Sequence, residues 1–147
     1  MSIFPTRILL ATDGSKEAQL AATTAADLAQ RTNSELNVVT VGPDYPLYEL
    51  PEHPADFEDV LREHRRGAKE VLEQQVKWIE ESGGTVNETY LREGSAEEEV
   101  VILAEELGAG LIVMGSRGHG RLRRALLGSV SDAVVRHAHC PVTIVRG

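Results

Sequence analysis

Arg7-Ile8-Leu9-Leu10-Ala11-Thr12, closed by Asp13-Gly14-Ser15, is a short apolar run with no polar alternation. A strand with one wet face alternates; a strand covered on both faces does not. The run therefore predicts a first strand buried on both sides. Ser15 predicts an N-cap for a helix from about Lys16 to Thr32, because a serine hydroxyl there satisfies a free first-turn N–H. Ala18, Ala21, Ala22, Ala25, Leu28 and Ala29 recur at steps of three and four and form the inner face. Side chains that small let the helix lie close to a sheet. A doubly buried strand feeding an amphipathic helix is the opening of a parallel β-α-β unit.

The alternation continues to the end of the chain. Glu35 to Val41 predicts a second strand, stopped by Gly42-Pro43. Residues 43–55 hold Pro43, Pro46, Pro51 and Pro54, and predict an irregular loop long enough to be functional or disordered. Phe57, Val60, Leu61, Ala68, Val71, Leu72, Val76 and Ile79 keep helical spacing and predict a helix from about Asp56 to Ser82, ended by Gly83-Gly84. Thr85 to Leu91 predicts a third strand. Ser95 and Glu98 predict a capping box for a third helix, with Val100, Leu103, Ala104 and Leu107 facing inward. Leu111 to Met114 predicts a fourth strand, Ser129 to about His137 a fourth helix, and Pro141 to Val145 a fifth strand. Strands alternating with helices imply an α/β fold: a single doubly wound domain over residues 1–147, with a five-stranded parallel sheet and helices on both faces.

Composition narrows the function. The chain has 147 residues, 41% hydrophobic and 26% charged, with a formal net charge of -8. That charge argues against nucleic acid and anionic membrane surfaces as partners. No apolar stretch approaches the roughly 18–20 residues of a membrane helix, and the N-terminus lacks a signal-peptide pattern. The one cysteine, Cys140, excludes an internal disulfide and fits a cytoplasmic protein. Cys140 reads as a small packed residue. His137, His139 and Cys140 are poorly placed to converge on one ion, so no metal site is expected. Trp78 reads as partial core. Asn87-Glu88-Thr89 matches a glycosylation sequon by chance.

In a doubly wound sheet, ligands bind beyond the C-terminal ends of the strands. That edge gathers Thr12 to Ser15, Val41-Gly42, and the stretch from Met114 to Ser131. The last stretch carries Gly115, Gly118 and Gly128, whose missing Cβ atoms permit close approach of a phosphate chain to the backbone. Gly128-Ser129 stands at a helix start, where free N–H groups and the helix dipole favour an anion, and Ser129 and Ser131 add hydroxyl donors. Arg117, Arg121, Arg123 and Arg124 lie between, with no acid among them. The spacing is neither a Walker P-loop nor a dinucleotide fingerprint. Two residues keep a structural alternative. Asp13 is either a ligand carboxylate or a turn aspartate bonding its own backbone; Met114 is either core or a wall against a base.

Gly115-x2-Gly118-x9-Gly128-Ser129, with the opening Ile8 to Ser15 and the closing Pro141 to Val145, resembles the ATP-binding, UspA-like subgroup of the universal stress protein family. The resemblance covers nearly the whole chain and is weakest over 43–55. It implies strand order 3-2-1-4-5 and a homodimer. It implies a nucleotide site of Ala11, Thr12, Asp13, Val41, Met114, Gly115, Arg117, Gly118, Gly128, Ser129, Val130 and Ser131. In it Asp13 and the Val41 backbone would hold the adenine or ribose side, and Gly128 to Ser131 the phosphate end. The ligand would be ATP, or ADP or AMP, with Mg²⁺ bridging phosphates. The fifth strand, Val142 to Val145, is the expected dimer surface, since an unpaired apolar edge needs cover.

Two function classes follow. One is a nucleotide-dependent switch or dimeric signalling module. The other is a slow ATP-hydrolysing or adenylate-transferring enzyme on the same fold. An enzyme needs a base or water-positioning group near the γ-phosphate. Only Asp13 and His119 offer one, and neither has a supporting residue legible in the sequence. The switch is the favoured reading, with no catalytic residue assigned.

Overall fold

The apolar run near the head of the chain is the middle strand of the sheet. The computed structural model describes residues 1–42, 52–116 and 128–147. Its elements are β1 (Arg7–Ala11), α1 (Lys16–Thr32), β2 (Glu35–Gly42), α2 (Pro54–Glu81), β3 (Glu88–Glu93), α3 (Ala96–Leu107), β4 (Leu111–Gly115), α4 (Ser129–His137) and β5 (Val142–Val145). The sheet runs β3-β2-β1-β4-β5, and every neighbouring pair is parallel. Ile8 lies between Leu36 of β2 and Leu111 of β4, and Leu10 between Val38 and Val113.

The pleat divides the core in two. Ile8, Leu10, Leu36, Val38 and Val113 pack on one face with Ala21, Ala22 and Ala25 of α1 and Leu72 and Ile79 of α2. Leu9, Val39, Ile112 and Met114 pack on the other with Val100, Leu103 and Val134 of α3 and α4. Because β1 is buried from both sides, it needs no polar alternation. The alanine face of α1 brings that helix so near the sheet that a Cβ on Gly115 would stand 2.9 Å from Glu17 Cβ and 3.0 Å from the Glu17 carbonyl carbon. Ser15 caps α1 through a bond from the Ala18 N–H.

Several expected boundaries shift. Residues 43–51 of the expected 43–55 loop lie outside the described residues; α2 begins at Pro54 instead of about Asp56, with the proline in the first helical turn, where a missing N–H costs nothing. β3 runs Glu88–Glu93 instead of Thr85–Leu91, because pairing with Asn37–Gly42 sets its extent, not its apolar content. Ser95 makes no side-chain capping bond, so the expected capping box does not form; Glu97, Glu98 and Glu99 supply negative charge at that helix start instead. Trp78 is 45% exposed, one position off the α2 stripe of Leu72, Gln75 and Ile79, and is not core. Asn87 donates from Nδ2 to Asn37 Oδ1, which ties the sequon asparagine to β2. Among the described residues no helix is long and apolar enough to cross a membrane.

Candidate functional site

The turn after β1 is held from beneath by α2. Thr12 is buried, and its Oγ1 donates to Gln75 Oε1 at 2.6 Å. The Gly14 N–H donates back to Thr12 Oγ1 at 3.3 Å. Gly14 has φ +81°, and a Cβ there would lie 3.3 Å from Val71 Cγ1, so both the backbone and its neighbour favour glycine. Asp13 Oδ1 accepts from the Ser15 N–H at 2.9 Å. The turn-aspartate arrangement therefore exists, and it leaves an exposed carboxylate at the sheet edge.

The second wall is the junction of β4 and α4. Ser116 is buried and follows Gly115. Its N–H donates to the Val145 carbonyl at 2.9 Å, and its own carbonyl accepts from the Gly128 N–H at 2.6 Å. The same carbonyl accepts from Ser131 Oγ at 2.6 Å. Ser116 Oγ donates to Glu17 Oε2 on α1. Within α4, the Asp132 N–H turns back to the Gly128 carbonyl at 2.9 Å. The N–H groups of Ser129, Val130 and Ser131 precede that bond and are the first-turn donors that a helix leaves without an internal partner. The Ser131 hydroxyl is buried and donates to the Ser116 carbonyl, with the Gly128 carbonyl also at 3.2 Å.

Between these walls lies a cavity of about 310 Å³. Ala11, Thr12, Asp13, Val41, Met114, Gly115, Gly128, Ser129, Val130 and Ser131 all line it. Arg117 and Gly118 lie outside the described residues, as do His119, Arg121, Arg123 and Arg124. Met114 is buried in the core and also lines the cavity. The sequence did not single out Val39, Ala96, Val100 or Ser116 as lining residues. Val39 sits two positions before Val41 and so on the same strand face, and Ala96 and Val100 are four apart on α3. Those spacings held the missing signal, but only a known register between α3 and β2 turns them into a wall.

The chemistry of the cavity is graded. Val39, Val41, Val100 and Met114 give it apolar sides suited to a flat ring. Asp13 offers an acceptor at its rim, and the α4 start offers N–H donors with a favourable helix dipole. Among the described residues no three His, Cys, Asp or Glu side chains gather as they would around a metal ion. His139 Nε2 instead lies 2.7 Å from Glu105 Oε1. Cys140 packs against the α3–α4 core, and burial pushes its thiol above the ordinary range.

Comparison with known proteins agrees with this architecture. The profile of the universal stress protein family matches residues 5–146. A universal stress protein of Methanocaldococcus jannaschii is 35% identical over 140 residues, spanning 95% of this chain and 81% of that protein. Among solved structures, universal stress protein UspA from Lactobacillus plantarum aligns with a TM-score of 0.83 at 27% identity, covering 99% of this chain and 100% of the other. A universal stress protein crystallised in complex with cAMP aligns with a TM-score of 0.73 at 27% identity, covering 98% of each chain.

Proposed function

This chain belongs to the universal stress protein family, and from that premise we propose that its cavity binds an adenine nucleotide, with ATP as the working ligand. The observation that carries the reading is the convergence of the ends of β1, β2 and β4 with the start of α4 on a single cavity with apolar sides. A lining carboxylate together with backbone N–H donors suits a molecule with a flat base, hydroxyls and an anionic tail. The solved relative in complex with cAMP adds support from a similar fold.

In this reading Asp13 accepts from a ribose hydroxyl or an amino group. The Val41 backbone meets the purine edge, and Val39, Val100 and Met114 flank the base. Gly115, Arg117 and Gly118 follow the sugar and phosphates. The N–H groups of Ser129, Val130 and Ser131 and the Ser129 hydroxyl take the phosphate end. Mg²⁺ would sit between phosphate oxygens with water completing its shell.

The protein then acts as one nucleotide-binding domain over residues 1–147, a cytoplasmic switch whose ligand biases a contact between two copies. A ligand shifts such an equilibrium only by its differential affinity for the two states. The contact surface in this proposal is the β5 edge, Val142–Val145. Support comes from Leu20 of α1 and Val135 of α4, each 45% exposed, while all four β5 residues are only partly buried. A Cβ on Gly147 would meet Leu20 Cδ1 at 2.6 Å, which places Leu20 beside the chain leaving β5.

The test is direct. The purified protein is denatured and the released small molecules are identified by mass spectrometry, and Mg-ATP is titrated into ligand-free protein by calorimetry. An adenine nucleotide released, or saturable binding below millimolar concentration, is the expected result. Neither one appearing would overturn the reading. Turnover of Mg-ATP well above one per minute, lost in Asp13→Ala, would move the protein to the enzyme class.

A further inference from the structure

We propose that Ser116, with Glu17 as its anchor, is the positioning residue that sets the phosphate end of the cavity; the inference rests on the nucleotide reading above. Ser116 is 2% exposed. Each of its polar groups is engaged with a different part of the fold. Its N–H holds β5 at Val145. Its carbonyl receives Gly128 and Ser131, the cap and the third residue of α4. Its hydroxyl donates to Glu17 in the first turn of α1.

A carbonyl oxygen has two lone pairs, and two donors at 2.6 Å use both. The orientation of the Ser116 peptide group therefore decides where the first turn of α4 stands. A hydroxyl donating to a carboxylate makes a stronger, charge-assisted bond than one between neutral groups. The Glu17 contact thus fixes the side chain of the residue whose backbone fixes α4. Glu17 is itself held tightly in place: a Cβ on Gly115 would meet its backbone carbonyl carbon at 3.0 Å. The chain Glu17–Ser116–Ser131 joins the helix after the Asp13 turn to the start of α4, and Asp13 and that start both line the cavity. It sets the spacing between Asp13 and the α4 N–H donors that a bound nucleotide must satisfy together. Ser116 acts through α4 and donates nothing to the ligand, since its hydroxyl goes to Glu17.

The experiment compares Ser116→Ala, Glu17→Ala, Glu17→Gln and the double variant Ser116→Ala/Glu17→Ala in the full chain. Mg-ATP affinity is read by calorimetry, and amide exchange at Gly128 and Asp132 is read without nucleotide. Ser116→Ala keeps every main-chain bond and removes only the hydroxyl. It is expected to weaken Mg-ATP by about tenfold, the scale of one charge-assisted hydrogen bond, and to speed exchange at Gly128 and Asp132. Glu17→Ala should match it, and the double variant should be no worse than either single one. Glu17→Gln keeps an acceptor for the hydroxyl and should recover most of the affinity, a rescue that a general loss of packing would not give. If wild type binds and Ser116→Ala binds within twofold of it, the positioning role is overturned while the nucleotide reading stands. If wild type binds no nucleotide, the exchange rates decide alone: unchanged protection at Gly128 and Asp132 overturns the role, and faster exchange upholds it. Should Ser116→Ala not fold, the Glu17→Ala and Glu17→Gln pair carries the same comparison.

Discussion

Thr12 and Gln75 hold each other at 2.6 Å in the seam between the end of β1 and the C-terminal third of α2, and both side chains are buried. This pair fastens the turn that carries Asp13 to a helix far along the chain. Gln75→Ala removes the acceptor and leaves a hydroxyl inside the protein without it, at a cost of about 1–3 kcal/mol. Urea unfolding should show a lower midpoint at unchanged slope. Thr12→Val/Gln75→Leu removes both partners and should cost less than the two single changes summed. A strictly additive double variant would show that the pair has no energetic coupling.

Asp13 has a structural and a proposed ligand role, and two substitutions separate them. Asp13→Asn keeps an oxygen for the Ser15 N–H, which Asp13 Oδ1 now accepts at 2.9 Å, and loses the negative charge. Asp13→Ala loses both. Asn should therefore fold with near wild-type stability yet bind Mg-ATP differently from wild type. Ala should add a loss of about 1 kcal/mol in stability from the turn bond. Calorimetric affinity and thermal unfolding on the same samples check the split. Equal affinities for wild type, Asn and Ala would remove Asp13 from the site.

Gly115 lies where β4 runs close against α1. A Cβ there would stand 2.9 Å from Glu17 Cβ and 3.0 Å from a backbone carbon, neither of which can swing aside. Gly115→Ala must push α1 away from the strand, an overpacking cost of about 1–3 kcal/mol. Since Gly115 lines the cavity and Glu17 anchors Ser116, nucleotide affinity should fall with stability. A Gly115→Ala protein as stable as wild type would contradict the close packing.

Much of this arrangement was legible in the chain because the signals were local. The unalternating run at Ile8, Leu9 and Leu10 read as a doubly covered strand, and it is fully buried. The alanine face of α1 read as close packing, and Gly115 shows how close. The strand order came from the family resemblance, since β-α-β alternation alone leaves several orders open. What stayed hidden was long-range. No local pattern marks Gln75, and only the fold brings it to Thr12, 63 positions earlier. Nor does any local pattern mark Ser116, because its bonds reach Glu17, Gly128, Ser131 and Val145, all set by tertiary packing. Ser95 failed as a cap for the complementary reason: the right residue at the right spacing does not fix the rotamer that makes the bond.

Gly67 gives the opposite expectation to Gly115. It lies within α2, is exposed, and a Cβ there would meet nothing within 4 Å. Its backbone is helical, so alanine adopts the same conformation without strain. Glycine in a helix interior costs about 0.5–1 kcal/mol relative to alanine, because the unfolded chain loses more freedom on folding. Gly67→Ala should therefore stabilise the protein by about that amount, acting on the unfolded state and not through any new contact. In a chain of this size that is a rise of a few °C in Tm at most, on the order of 2–4 °C per kcal/mol. Nucleotide affinity should not change, since Gly67 does not line the cavity. Differential scanning calorimetry resolves such a shift, and a lower Tm for Gly67→Ala would mean that position 67 is not the open, solvent-facing helical site described.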